Sequence, residues 1–129
     1  MSVIDEYISK VRKELENKSS IIKQIQIDLD TPIAIRQGIL KGRIIFLDDS
    51  ILYLNEIISD KVKRYRFHYM NHNNDLIMRW DSSPHHKELP TFPYHLHTSD
   101  RIISSQPVTL IDVLKCVEDV VLGSLKDRT

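Results

Sequence analysis

The sequence predicts an α+β fold in which an N-terminal and a C-terminal helix flank a five-stranded antiparallel meander sheet. Apolar residues recur every three or four positions near both ends of the chain, as in amphipathic helices, and at every second position between them, as in half-buried strands. Short runs of turn-forming residues separate the period-two segments, which favours antiparallel pairing of consecutive strands. The chain has 129 residues, which is the size of one domain, so we expect a single domain over residues 1–129.

Both predicted helices begin at a capping box, in which two side chains three positions apart each bond the backbone N–H of the other residue. The pattern occurs at Ser2 and Asp5 and again at Thr109 and Asp112. Gly123 is expected to end the second helix, because glycine adopts the left-handed conformation that often follows a last turn. The predicted helices cover residues 3–17 and 108–122.

Five segments alternate apolar and polar residues as strands do. They are residues 21–29, 33–47 (most clearly 40–47), 51–58, 62–70 and 76–81. Gly38 and Gly42 lie inside the second segment and indicate a bulge or a close packing approach. Residues 82–100 lack periodicity and contain three prolines, so we predict a long histidine- and proline-rich loop after the last strand.

The fourth and fifth predicted strands form a hairpin whose two faces differ in chemistry. The register that keeps the faces consistent joins Met70 to Asp75 and places Arg64 opposite Asp81, with Arg66 near Arg79. The expected core face carries Tyr65, Phe67, Tyr69, Leu76, Met78 and Trp80. The opposite face carries Arg64, Arg66, His68, Arg79 and Asp81. Facing arginines repel unless an anion lies between them, so this face is either a phosphate site or a solvated ion-pair network around its carboxylate.

Composition excludes several classes of protein. Eighteen basic residues balance eighteen acidic ones, which excludes a polycation that coats nucleic acid but leaves room for a local basic patch. The single cysteine, Cys116, excludes an intrachain disulfide framework and thiolate metal clusters. The N-terminus lacks the apolar region of a signal peptide, and no apolar run approaches the length of about 18 residues that a membrane span needs. We therefore expect a cytoplasmic protein without a membrane partner.

All six histidines and most of the aromatic residues lie between Tyr65 and His97. Histidine pairs at residues 85–86 and 95–97, with Asp81 nearby, offer the ligand types that zinc takes in proteins, but their spacing matches no named zinc motif. We therefore predict no metal and no other cofactor, and we expect residues 84–97 to be ordered without a metal.

The same residue types suit metal-free cleavage of a phosphodiester. Histidine can act as general base toward a ribose 2′-hydroxyl and as general acid toward the leaving 5′-oxygen. Arginines would stabilise the charge that develops on the phosphate, and an aromatic ring would stack on a base. The candidate acid–base residues are His68, Asp81, His85, His86, His95 and His97. The candidate phosphate- or RNA-binding residues are Arg64, Arg66, Arg79 and Tyr94.

Three segments resemble the TumE-type family of small prokaryotic toxin–antitoxin modules. They read R-Y-R-F-H-Y at residues 64–69, L-I-M-R-W-D-S-S-P-H-H at residues 76–86 and T-F-P-Y-H-L-H at residues 91–97. The resemblance is dense over residues 64–97 and only topological elsewhere. Departures include Trp80 where the family usually has tyrosine and Tyr94 where it usually has histidine, which leaves the acid–base role of that position in doubt.

The resemblance implies a growth-inhibiting toxin that is neutralised by a helix-turn-helix antitoxin. Carried over residue by residue, its site would comprise Arg64, His68, Arg79, Asp81, His85, His86, His95 and His97. The RNA-directed activity rests on the residues above and on the analogy that many toxins of this size cleave RNA. The competing hypothesis is a non-catalytic interaction module, in which the histidine- and proline-rich loop is a structural staple or the antitoxin-binding surface. The sequence leaves open whether the protein forms a homodimer.

Overall fold

The computed structural model describes residues 2–31, 37–59 and 64–128 of the chain. Two helices enclose a run of strands: α1 spans Val3–Asn17 and α2 spans Leu110–Lys126, and one 3-10 turn at Ser19–Ile21 follows the first helix. The strands are β1 Ile22–Asp30, β2 Gly38–Phe46, β3 Ile51–Ile58, β4 Arg64–Met70, β5 Leu76–Asp81, β6 His95–Thr98 and β7 Ile102–Ser104. The predicted α+β class is therefore confirmed.

The sheet contains seven strands in sequential order, each antiparallel to the next. The prediction of five strands was wrong, because β6 and β7 lie in and just after the segment expected to be a loop. These two strands have four and three residues, too few to show a period, and β6 follows a proline-rich stretch. Pairing supplies the backbone hydrogen bonds that define them: β6 pairs with the free edge of β5, and β7 pairs with β6.

Most element boundaries agree with the sequence pattern. The observed β3 and β5 have the predicted limits. The first residues of the second and fourth predicted strands, 33–36 and 62–63, lie outside the described residues. The second helix was predicted to end at Gly123, but it continues to Lys126, and Asp127 is its C-cap. Gly123 is therefore an exposed interior residue of α2 and not its C-cap.

Both predicted capping boxes are present. Ser2 and Asp5 bond each other's backbone N–H at the start of α1, and Thr109 and Asp112 do the same at the start of α2. Both helices pack against one face of the sheet, where their apolar side chains and alternate residues of β2 to β5 form a single buried cluster. Tyr7 of α1 connects the helices to the sheet. Its hydroxyl donates to the Glu56 carboxylate on β3 at 2.7 Å and accepts the Leu110 N–H at the start of α2 at 3.1 Å.

The hairpin of β4 and β5 has the predicted faces but not the predicted register. Arg66 stands opposite Asp81 and His68 opposite Arg79, with a shift at Met70. The predicted pairs of Arg64 with Asp81 and Arg66 with Arg79 were therefore wrong by two positions. A shift of two residues keeps every side chain on its face, because side chains alternate along a strand. Tyr65, Phe67, Tyr69 and Trp80 are accordingly buried on the helix side.

Gly42 lies in β2 at a close approach to β1. A Cβ atom at this position would meet the Gln26 carbonyl oxygen at 2.0 Å and the Ile27 Cα at 2.8 Å. Glycine in a strand marks such approaches and often accompanies a bend of the sheet. The face opposite the helices, which we call the open face, carries a groove of about 800 Å³ beside this position.

Candidate active site

The open face displays two adjacent rows of directly paired residues that cross the sheet at right angles to its strands. Partners that stand opposite each other in antiparallel strands point to the same face. The first row comprises Gln26, Arg43, Tyr53, His68, Arg79 and His97. The second row comprises Asp28, Lys41, Asn55, Arg66, Asp81 and His95. Each row reaches a histidine on β6, whose partner on β7 is Ser104 or Ile102, so candidate residues of β4, β5 and β6 meet toward one end of this face.

Asp81 is the acidic centre of this end. Its side chain is buried, with 6 % of the residue exposed, and Oδ1 accepts the Ser83 N–H at 2.7 Å. Its Oδ2 lies 3.9 Å from the Arg79 Nε and 4.0 Å from the Arg66 Nε. Burial alone would raise the pKa of this carboxyl, but the hydrogen bonds from Ser83 and the nearby charges of His95 and Arg66 outweigh it, so the pKa is lowered.

Three histidine rings, which we call the histidine cluster, pack edge to face beside Asp81. The ring centroids of His95 and His97 are 4.8 Å apart, and His86 lies 5.3 Å from the first and 5.8 Å from the second. His95 is 2 % exposed and its Nδ1 lies 3.0 Å from the Pro93 carbonyl oxygen. A carbonyl can only accept, so this contact places a proton on Nδ1.

His86 reaches the cluster from the loop between β5 and β6. Its backbone has φ of 60°, in the left-handed region that non-glycine residues rarely adopt. Such a conformation costs about 1–3 kcal/mol and persists where surrounding structure holds it. A hydrogen bond of 3.2 Å between its Nδ1 and the Glu88 carboxylate orients the ring.

Arg79 contacts the third ring of the cluster. Its Nη2 lies 3.2 Å from Nδ1 and 3.4 Å from Nε2 of His97. Because a guanidinium can only donate, the contact requires a neutral imidazole. Burial and the positive charge of Arg79 lower the pKa of His97 to about 4, which keeps the ring neutral at physiological pH.

His68 occupies the next position of the first row. Burial, and then the positive charges of Arg79 and Arg66, lower the pKa of His68. Among the described residues, the buried nitrogens without a hydrogen-bond partner are His68 Nδ1, Arg79 Nε and Arg43 Nε. All three belong to the first row and carry polar groups that a ligand on the open face could satisfy.

The remaining predicted residues lie apart from the cluster. His85 is exposed, and of the two adjacent histidines it is His86 that contacts the rings of His95 and His97. Arg64 is exposed at the start of β4 and lines a separate pocket with Tyr7 and Glu56. Tyr94 stacks on Tyr65 of the core face, with centroids 6.0 Å apart and an interplanar angle of 8°. The structure thus brings together Arg66, His68, Arg79, Asp81, His86, His95 and His97.

Sequence reasoning missed six residues of the open face, two on each of three strands: Gln26 and Asp28 on β1, Lys41 and Arg43 on β2, and Tyr53 and Asn55 on β3. They line the groove together with Arg66 and His68. Their signal was present, because each pair occupies alternate positions of its strand, and alternate positions share a face. Identifying them required the pairing of β1 with β2, of β2 with β3 and of β3 with β4, which the alternation alone leaves unspecified.

Asp81, His95 and His97 form a group whose candidate ligand atoms lie within 4.8 Å of one another. One carboxylate and two imidazoles are ligand types that zinc accepts. Two features of the surroundings favour an anion instead: two guanidinium groups lie within 4.0 Å of the carboxylate, and Arg79 contacts the His97 ring nitrogens. A divalent cation would be repelled by both arginines, whereas a phosphate would be attracted by them.

The lowered histidine pKa values predict how stability depends on pH. In the unfolded chain both His68 and His97 return to the ordinary value near 6.5, so between pH 6.5 and about 4 the unfolded state binds more protons than the folded state. The free energy of unfolding should therefore fall as the pH drops through this window. Urea denaturation at several pH values measures the slope, and His97→Gln should make it shallower. An unchanged slope in this variant would contradict the depressed pKa.

Comparison with protein families gives one match: the family model described as Toxin TumE matches residues 11–124. The matched region contains all seven strands, the histidine cluster, the C-terminal part of α1 and most of α2. No curated protein and no solved structure matches the chain. Within the described residues, neither helix is long and apolar enough to cross a membrane.

Proposed function

The chain belongs to the TumE toxin family, and we propose that its toxic activity is metal-independent cleavage of RNA phosphodiester bonds at the histidine cluster. The observation that carries the proposal is the convergence of three histidines and two arginines around one buried carboxylate at the end of the open face. Membership of a toxin family implies an antitoxin partner. We propose that this partner is a helix-turn-helix protein, as in the toxin–antitoxin modules that the sequence resembles.

Arg66 and Arg79 would hold the scissile phosphate. Arg79 lies on the first row of the open face and Arg66 on the adjacent second row. The Arg79 Nε is buried without a hydrogen-bond partner among the described residues. The guanidinium fork matches two phosphate oxygens, and donors placed where negative charge develops stabilise a transition state. The buried Asp81 holds both arginines near this position through its Oδ2.

His97 is the candidate general base. Its neutral ring can take the proton of a ribose 2′-hydroxyl while the 2′-oxygen attacks the phosphorus. A base with a pKa of about 4 is weak, but a bound phosphate offsets the positive charge of Arg79, which is one cause of the depression. Substrate binding therefore raises the basicity of this ring at the point where it is needed.

His86 is the candidate general acid, because it is half-buried at the outer side of the cluster and its ring lies 5.8 Å from that of His97. It would protonate the 5′-oxygen as the bond from that oxygen to phosphorus breaks. The products are then a 2′,3′-cyclic phosphate and a 5′-hydroxyl. His95 is almost fully buried and would act as a positioning residue, held by Pro93 and packed between the other two rings.

A second candidate function is a non-catalytic interaction module whose loop is a structural staple. Contacts within the loop favour it: Thr91 Oγ1 donates to the Tyr94 carbonyl at 2.7 Å and accepts the Ser105 N–H at 3.0 Å, and Tyr94 stacks on Tyr65. These contacts stabilise the loop but do not involve His86, Arg79 or His97. The staple and the catalytic cluster therefore use different residues of the same segment.

A cleavage assay with product analysis tests the proposal. Purified protein and single-stranded RNA are incubated with and without a chelator, and the ends of the fragments are identified. We expect unchanged cleavage in the chelator, with 2′,3′-cyclic phosphate and 5′-hydroxyl ends, and no cleavage of a 2′-O-methyl substrate. Loss of cleavage in the chelator and its return with zinc would overturn metal independence. Intact RNA, with toxicity retained in cells, would favour the interaction module.

A further inference from the structure

We infer that the open face binds single-stranded RNA across its strands, so that one chain of nucleotides runs from β1 to the histidine cluster on β6. The inference deepens the proposed function, since it names the form of the nucleic acid and the surface that holds it. The surface is the groove formed by both rows between β1 and β4. Strands lie about 4.8 Å apart, so five spacings give a track of about 24 Å from Gln26 to His97.

Charge complementarity favours a nucleic acid in this groove. Lys41, Arg43 and Arg66 line it together with one carboxylate, that of Asp28, although the chain as a whole has no net charge. Cationic side chains that follow a groove supply most of the affinity of a protein for a phosphate backbone. The groove continues directly into Arg79, the partner of His68 on β5.

Two buried side-chain nitrogens in the groove lack a hydrogen-bond partner among the described residues. They are Arg43 Nε and His68 Nδ1, and both lie on the first row, on either side of Tyr53. Buried polar groups are nearly always paired, so the described part of the chain leaves these two to a ligand on the open face. A phosphate or base oxygen would accept the Arg43 Nε–H, and the His68 nitrogen would donate to a base or accept from it, according to its tautomer.

Tyr53 makes the groove suited to unpaired bases. It is 41 % exposed in the middle of the first row, with Arg43 on one side and His68 on the other. Exposed aromatic rings on a sheet stack against splayed bases, and this interaction needs bases that are free of a duplex. The arrangement therefore fits a single strand better than a double helix, whose bases are hidden from such a ring.

Fluorescence anisotropy with a labelled 2′-O-methyl oligonucleotide tests the inference, because this probe can bind but cannot be cleaved by attack of its 2′-oxygen. We expect salt-dependent binding by the full chain. The double variant Lys41→Gln/Arg43→Gln should bind more weakly, and the slope of log affinity against log salt should fall by about 1.4, since each phosphate contact contributes about 0.7 for single strands. The double variant Lys10→Gln/Lys13→Gln is the matched control on α1, and it should bind like the wild type.

Tyr53 provides a separate test of single-strand binding. Tyr53→Ala should weaken binding by about 5- to 150-fold, the range of base–aromatic stacking, whereas Tyr53→Phe should retain the affinity. Equal affinity for a duplex of the same sequence, or wild-type affinity in both the Tyr53→Ala and the Lys41→Gln/Arg43→Gln variants, would overturn the inference. Failure of the proposed function gives a different result. If binding depends on these residues but ordinary RNA is not cleaved, the open face is an RNA-binding surface and the proposed cleavage activity is wrong.

Discussion

Replacement of His97 by alanine is expected to lower the rate of RNA cleavage by about 10²- to 10⁴-fold, the range that general acid–base groups supply. The variant removes the ring that Arg79 keeps neutral and that lies within the histidine cluster. Single-turnover cleavage of a defined RNA measures the effect. Arg79→Ala and His86→Ala should lose activity on a similar scale, and each should relieve the growth inhibition caused by the wild-type protein.

The matched control for these variants is His72→Ala. His72 lies in the turn between β4 and β5, is exposed, and is remote from β6. It should retain both cleavage and toxicity. Thermal denaturation separates catalysis from folding: lost cleavage with an unchanged melting temperature assigns the loss to catalysis, and a large fall in melting temperature assigns it to folding. Full toxicity of His97→Ala at wild-type abundance would exclude a catalytic role for this ring. Loss of soluble protein in the Arg79 and His86 variants would instead favour the structural staple.

Gly42→Ala is expected to destabilise the protein by about 3 kcal/mol, at the upper end of the cost of overpacking. The new methyl group would lie 2.0 Å from the Gln26 carbonyl oxygen and 2.8 Å from the Ile27 Cα. These are backbone atoms of a neighbouring strand, so they can yield only if the ladder between β1 and β2 shifts. Urea denaturation measures the loss, and the melting temperature should fall by about 10 °C for a domain of this size.

Two other glycines provide controls for this prediction. Gly123 lies within α2 and has nothing within 4 Å of an added Cβ, so Gly123→Ala should stabilise the protein by up to about 1 kcal/mol through helix propensity. Gly38→Ala would contact the Ile4 side chain at 3.1 Å, which can rotate away, and should cost less than Gly42→Ala. Equal stability of the Gly42 and Gly38 variants would contradict the backbone clash.

The parts of the fold that follow from local pattern were predicted from the sequence. Both capping boxes, the first helix and the limits of β3 and β5 depend on residues close in the chain. The division of β4 and β5 into two faces was also correct, although the register was wrong by two residues, because the alternation of side chains has the same period. The short strands β6 and β7 were missed, since β6 is defined by its pairing with β5 and β7 by its pairing with β6.

The candidate site was predicted in composition but not in arrangement. The sequence pointed to Arg66, Arg79, Asp81 and the histidines, and the structure brings most of them together. The sequence alone could not show that His86, and not His85, contacts the other histidine rings. The position of the His86 ring depends on the left-handed backbone conformation of that one residue. Nor could the sequence connect β1, β2 and β3 to the site, since those strands contribute through cross-strand registers that no local pattern specifies.

The two faces of the sheet have a consequence for genetics. One face holds the helices and the buried aromatic side chains, and the other holds the charged rows. Cells that survive expression of this toxin should therefore carry suppressor mutations of two kinds. Mutations of the first kind would remove the protein from the cell, because a defective core exposes it to proteases. Mutations of the second kind, at positions such as Arg79 or Tyr53, would leave a harmless protein at normal abundance, and immunoblotting of the survivors would sort them.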